Sequence, residues 1–295
     1  LNKIICTKMT EKEIIEKYDK LLQQFLDNNL SKRDKTIEGD TKQYREIINQ
    51  LNKLYNFMHF VYDEYLLKEP HSVYKAVMYD FVLKAGQTTY AIYLCLDKFL
   101  ERDAAVLCRS LFELHLTVSL ILEKDVEDRI ALYMNFFPIL KYKEFDRGKL
   151  KIEDETEKKL LIENYNKFKD DYKAKNPNSW CYKILKDEIE NPKKDPNLFD
   201  IASYLDKIHP DYDNLFTKLY NNTYSAFSMA IHSSVGSSNL LNISDAVGCF
   251  SISHSSQILK NVLGHYKVKD YEELIKYIDL LYNVCLENLN KGRKK

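Results

Sequence analysis

An all-α fold, a multi-helix antiparallel bundle, is predicted for this 295-residue chain on three observations. Glycine and proline number only seven and six, whereas a turn-rich all-β protein needs many of both. Apolar residues recur at three- and four-residue spacing through most of the chain, the period of a helix with one buried face. No run alternates as a strand would, and no internal repeat of fixed period is visible. The whole chain, 1–295, reads as a single helical domain, with 149–197 as a charged helical insertion within it.

Each expected helix has its own local reason. Thr10 and Glu13 form a capping-box pattern, followed by Ile14, Ile15, Tyr18, Leu21, Leu22 and Phe25 at helical spacing. After the polar stretch SKRDKTIEGD, Asp40 is placed to cap a second helix with an apolar face from Tyr44 to Tyr65, closed by Pro70. A third begins after Ser72 and runs to about Leu100, with Gly86 as its weak point. The central helix follows Asp103. Asp125 is a candidate cap for the next, which carries Ile130, Tyr133 and Phe136 before Pro138 kinks or ends it.

From Lys149 to Lys175 charge dominates, as in a solvated helix, and NPNSWCYKIL then holds the only tryptophan, Trp180. A short helix is expected over Leu198 to Ile208, stopped by Pro210, and a long one from Tyr212 to Ser233. Ser244 heads a helix to Leu263 with Gly264 as terminator, and Asp270 with Glu273 opens the last one, through Leu289.

Composition narrows the function classes. Lys plus Arg equals Asp plus Glu at 44 each, so no global field draws nucleic acid or an anionic membrane; any such contact needs a local patch. Six scattered cysteines without a C-x-x-C pair read as buried free thiols of a reducing, cytoplasmic setting. No run of about 18 uninterrupted apolar residues is present, so no membrane span or membrane partner is expected. The opening LNKIICTK lacks the features of a secretory signal, and Met9 heads a more natural beginning, with the residues before it an extension. No Gly-rich phosphate loop, nucleophile elbow or Cys/His ligand spacing occurs, so neither cofactor nor metal is expected.

The chemistry concentrates in two stretches. AAVLCRSLFELHLTVSLILE, Ala104 to Glu123, is the most apolar in the chain, yet it carries Arg109, Glu113 and His115. An arginine in a buried helix costs several kcal/mol unless it is partnered. Glu113 lies four residues on, on the same face, and is the local candidate to orient it. Downstream, Tyr220, Tyr224, Ser228 and His232 recur every four residues on an otherwise apolar helix. Each would cost about 1–3 kcal/mol if buried without a partner. The two polar faces are therefore expected to meet, with Arg109, Glu113, Ser228 and His232 in one cluster and Tyr224 beside it.

RSLFELH, Arg109 to His115, is similar to the arginine–histidine signature of HEPN ribonucleases, helical domains of toxins and phage defence. The match brings a physical departure. Six positions along a regular helix leave Arg109 and His115 about 120° apart, so His115 is a reserve for the histidine role. More broadly, Arg109, Ser110, Leu111, Glu113, Trp180, Tyr224, Ser228 and His232 together resemble an uncharacterised bacterial domain-of-unknown-function family, over about Ser72 to Leu289. That resemblance implies an all-helical fold and a link to bacterial defence islands, and no established reaction.

Two functional readings result. In the first, the protein is a metal-independent, HEPN-like ribonuclease. Arg109 binds the scissile phosphate, His232 is acid and base, Glu113 orients the arginine and Ser228 adds a hydrogen bond. Its partners would be RNA, a protein encoded nearby and a second copy of the chain. In the second, the protein is a non-catalytic helical sensor or interaction module whose polar cluster is structural or binds a small ligand.

Overall fold

A computed structural model of the chain describes residues 9–29, 42–68, 72–98, 100–172, 177–188, 195–225, 227–228 and 243–292. Every regular element among them is a helix or a helical turn. α1 is Glu11–Asn29, α2 Lys42–Val61, α3 Val73–Asp97 and α4 Glu101–Leu122. α5 spans Val126–Asp146, α6 Glu155–Phe168, α7 Tyr182–Leu185, α8 Leu198–Ile208 and α9 Leu215–Leu219. α10 is Ile243–Tyr266 and α11 Tyr271–Gly292.

Caps explain several of these starts. The Thr10 amide donates to Glu13 at 2.7 Å while Thr10 Oγ1 accepts from the Glu13 amide, completing the expected box. Ser72 Oγ accepts from the Lys75 amide to open α3, and Asn197 with Asp200 forms a capping box before α8. The boundaries of α8 are those expected from sequence.

Other expectations are corrected. Asp125 precedes α5 but is left-handed, φ 47°, and its side chain makes no cap bond. Of the two outcomes expected at Pro138, a kink or an end, the end does not occur, since α5 continues to Asp146. α2 gives way to a wide π turn, Tyr62–Leu66, rather than running on as α-helix. The helix expected from Tyr212 starts only at Leu215, because Asp213 and Asn214 are left-handed at φ 49° and 55°. It then widens into a second π turn, Tyr220–Ser225. Gly264 does not terminate α10; the stop comes at left-handed Lys267, φ 47°. Asp40, Pro70 and Ser233 lie outside the described residues.

The chain divides into two compact units, one of residues 1–115 with 223–295 and one of 116–222. In the first, α2 packs on α3, α10 and α11, and α1 lies on α2 and α11. Ile47, Leu51, Leu54, Met58 and Val61 form the fully buried stripe of α2. The rings of Tyr18, Phe57 and Tyr277 converge at 4.6–5.8 Å, joining α1, α2 and α11. Tyr277 Oη donates to Asp19 and Lys17 donates to Glu273, both at 2.5 Å, which ties α1 to α11 at its edge. At Gly248 a Cβ would stand 2.3 Å from Ile47 Cγ2, so only glycine lets α10 approach α2 this closely.

In the second unit α5 packs on α6 and on the turn that carries Trp180. Trp180 is buried edge-on to Tyr133, with centroids 5.4 Å apart, and Tyr172 Oη donates to the Leu132 carbonyl at 2.8 Å. Asp206, reaching from α8, accepts from the Phe216 and Thr217 amides at 2.8 Å and so caps α9 from a distance. The stretch 149–197 falls within this unit, and Leu161 is the one buried residue of its charged helix α6.

α4 is long and apolar enough to cross a membrane by length and composition, although its apolar residues do not form an uninterrupted run. Its apolar surface has another use, since Ala104, Ala105, Cys108, Leu111, Phe112 and Leu116 are fully buried in the protein.

Candidate functional site

The candidate site is built on two adjacent faces of α4. Positions 108, 112 and 115 share one face, and positions 109 and 113 the next, offset by about 100°. The first face meets α10. Cys108 Sγ lies 3.8 Å from the Val247 carbonyl, the Phe112 ring is 5.3 Å from that of His254, and His115 Nδ1 is 3.2 Å from His254 Nδ1.

The second face carries the arginine. Arg109 is half-buried, its guanidinium 4.1 Å from the Tyr224 ring centroid, and Nη2 donates to Tyr224 Oη at 2.6 Å. Stacking and hydrogen bonding by one side chain fix both the plane and the rotation of the guanidinium. Arg109 forms no salt bridge with any carboxylate among the described residues. Glu113 lies near enough for Arg109 to lower its pKa, but burial of its carboxyl is the larger cause and the net shift is upward.

Tyr224 sits in the π turn Tyr220–Ser225, a helical irregularity often found at functional sites. Ser228 Oγ donates back to the Tyr224 carbonyl at 2.6 Å, so its proton is committed to the backbone that holds the tyrosine. The structure thus brings together Arg109 and Tyr224, with Glu113 on the arginine's face and Ser228 behind the tyrosine. His232 lies outside the described residues.

His115 is not in this group. It is buried against His254, and burial drives its pKa down to about 4. The pKa of His254 also falls well below the ordinary value, through burial first and the neighbouring His115 second. Both rings are therefore neutral at pH 7, with one Nδ1 donating and the other accepting. His254 was not singled out from sequence as a partner for α4. Its signal was SISHSS within an apolar helix, where Ser251, His254, Ser255 and Ser256 all turn out buried. Ser255 is also tied to Thr89 of α3, with the hydroxyls 2.5 Å apart.

The remaining candidates are packing or surface features. Trp180 belongs to the core of the second unit. His209 pairs with Glu123 at 2.8 Å and stacks on Tyr212. Cys95, Cys108, Cys181 and Cys249 are free thiols; burial pushes Cys108 up to about 12, leaving it inert as a nucleophile. Among the described residues, no group of three or more His, Cys, Asp or Glu could hold a metal ion.

The chain belongs to the family of unknown function DUF5677, which it matches over residues 75–246, a span that includes Arg109, Glu113, Tyr224, Ser228 and His232. No curated protein and no solved structure matches it.

Proposed function

We propose that this DUF5677 member is a metal-independent, HEPN-like endoribonuclease, a cytoplasmic protein of bacterial phage defence or stress response. The observation that carries the reading is Arg109. Its guanidinium is oriented by Tyr224 and forms no salt bridge among the described residues. A structural arginine is normally spent on an acid; one held by a neutral phenol keeps its charge and most of its N–H groups for an external anion. A phosphodiester fits that fork, and a cation at the phosphate stabilises the charge that builds up during displacement. With the ribose 2′-hydroxyl as nucleophile, the remaining need is proton transfer, for which His232 is the histidine on the same polar stripe. RNA is the substrate, and a protein encoded nearby or a second copy of the chain is the expected partner.

The test is incubation of the purified chain with total RNA, with chelator present throughout. Wild type is expected to cut and Arg109→Ala to leave RNA intact while melting at a similar temperature. Intact RNA with wild type would refute the proposal.

One observation favours the second reading, a non-catalytic sensor or interaction module. His115, the histidine at the HEPN-like spacing, is sealed in the core against His254. Under that reading Arg109 binds a small phosphate-bearing ligand without turnover, seen as Arg109-dependent binding of inorganic phosphate in a protein that cuts nothing.

A further inference from the structure

We infer that Ser228 and Tyr224 are positioning residues acting in series on Arg109: Ser228 fixes the turn that carries Tyr224, and Tyr224 fixes the guanidinium as a preformed site for a phosphodiester. The role rests on Arg109 being the phosphate-binding group of the proposed function, and it holds whether the bound phosphodiester is cut or only held. It moves Ser228 from the ligand, where the sequence suggests its hydrogen bond, to the backbone behind the site.

Each link is a contact of one side chain with the next. Ser228 Oγ donates to the Tyr224 carbonyl at 2.6 Å. That carbonyl belongs to the π turn Tyr220–Ser225, whose bonds close over five residues instead of four and so add a residue to the turn. The extra residue changes the direction in which Tyr224 leaves the backbone. A carbonyl in such a turn needs a partner as much as any other, and a serine hydroxyl bonded four residues back supplies one. Thr223, the residue before, is fully buried and anchors the same turn. Phe227 anchors it from beyond, buried with its ring 6.0 Å from that of Phe250 on α10. Tyr224 is half-buried between these anchors in the chain.

Tyr224 then constrains Arg109 in two directions. Its ring centroid, 4.1 Å from the guanidinium carbon, sets the plane, and Oη, 2.6 Å from Nη2, sets the rotation within it. A loose arginine has to be ordered by its ligand, which costs roughly 2- to 10-fold in affinity for one flexible side chain. Here the ordering is done beforehand by a phenol, and Arg109 forms no salt bridge among the described residues. Among those residues Oη takes a single N–H of the fork, and the others remain in the plane along which phosphate oxygens bond.

Binding tests the links without requiring turnover. The probes are inorganic phosphate and a single-stranded DNA, which has phosphodiesters but no 2′-hydroxyl to attack, titrated into the full chain and its variants. Arg109→Ala is expected to abolish binding of both. Tyr224→Phe, which keeps the ring, should weaken binding about 3-fold, and Tyr224→Leu about 10-fold, the range of a lost preorganisation. Ser228→Ala should weaken it about 3-fold although its side chain touches no ligand, and Ser228→Thr, which restores the hydroxyl, should bring it back. A second readout is the Arg109 Nε–H resonance, which lies under the ring current of Tyr224. Ser228→Ala should move it towards its position in Tyr224→Leu at an unchanged melting temperature, which a general loss of stability would not do. With RNA, Ser228→Ala and Tyr224→Phe should raise KM and leave kcat within about 3-fold.

Ser228→Ala with wild-type affinity and an unmoved Arg109 resonance would overturn the serial role and leave the ribonuclease reading standing. A wild type that binds neither probe would overturn the serial role as well. A wild type that binds DNA through Arg109 but leaves RNA intact would refute the ribonuclease reading alone, with the positioning of Arg109 supported.

Discussion

Two polar pairs leave α4 within two turns of each other, and they are built to opposite ends. Arg109 meets Tyr224 half-buried, keeps its charge and spends one of its nitrogens. His115 meets His254 buried and gives up its charge, while Phe112 and Phe250 contact the His254 ring. A buried polar group without a partner costs about 1–3 kcal/mol, and a buried charge more. The histidine pair is therefore stable only as a neutral donor–acceptor couple, which fixes α4 against α10. The arginine pair tolerates charge because it is not sealed. A single helix thus carries a half-exposed arginine on one face and a sealed histidine pair on the next.

The sharpest break between the two pairs is substitution of each in turn. Arg109→Ala is expected to lower RNA cleavage by about 10²–10³-fold, as for removal of one charge-stabilising donor, with little change in melting temperature. The reverse pattern is expected for His115→Leu, which strands the His254 Nδ1. It should cost about 1–3 kcal/mol by denaturant titration, and His115→Leu with His254→Leu together should recover much of it. Equal losses of stability from Arg109→Ala and His115→Leu would erase the contrast.

Acid should separate the pairs next. The folded-state pKa of His115 is lowered to about 4, and an unfolded histidine takes its proton near about 6.5. Above the unfolded value both states are neutral and the pair brings no pH dependence. As pH falls from about 6.5 towards the folded value, the unfolded chain binds protons that the core refuses, and stability drops. Thermal melts from neutral to acidic pH should show this decline, reduced in the double leucine variant. Arg109→Ala should leave that slope as it is in wild type.

A smaller effect is expected at the close contact of α10 with α2. Gly248→Ala sets a methyl 2.3 Å from Ile47 Cγ2 and should destabilise by about 1–3 kcal/mol through overpacking. Ile47→Val should relieve part of the loss by removing nearby bulk. If Gly248→Ala is neutral, the register of α10 does not depend on that approach.

How far the sequence could be read differs between elements for local reasons. α8 was legible to the residue because Asn197, Asp200 and Pro210 punctuate it within one turn of each end. α5 was not, because an aspartate before a helix caps it only in extended backbone, and Asp125 is left-handed. The π turns at Tyr62–Leu66 and Tyr220–Ser225 left no compositional mark. In the site, the four-residue rhythm of Tyr224 and Ser228 pointed towards α4, and Arg109 does touch Tyr224. The i, i+4 spacing of Arg109 and Glu113 gives an electrostatic coupling, in which burial outweighs the arginine at the carboxyl.

By itself the sequence determined the helical class, most helix starts and the separation of Arg109 from His115, because all three follow from local periodicity and capping. Only the tertiary structure decided that Tyr224 stacks on the arginine and accepts its hydrogen bond. It alone matched His115 with His254 across more than a hundred residues. Those choices depend on which side chains distant helices bring within about 3 Å, and on how completely water is excluded there. No local pattern along one helix encodes either.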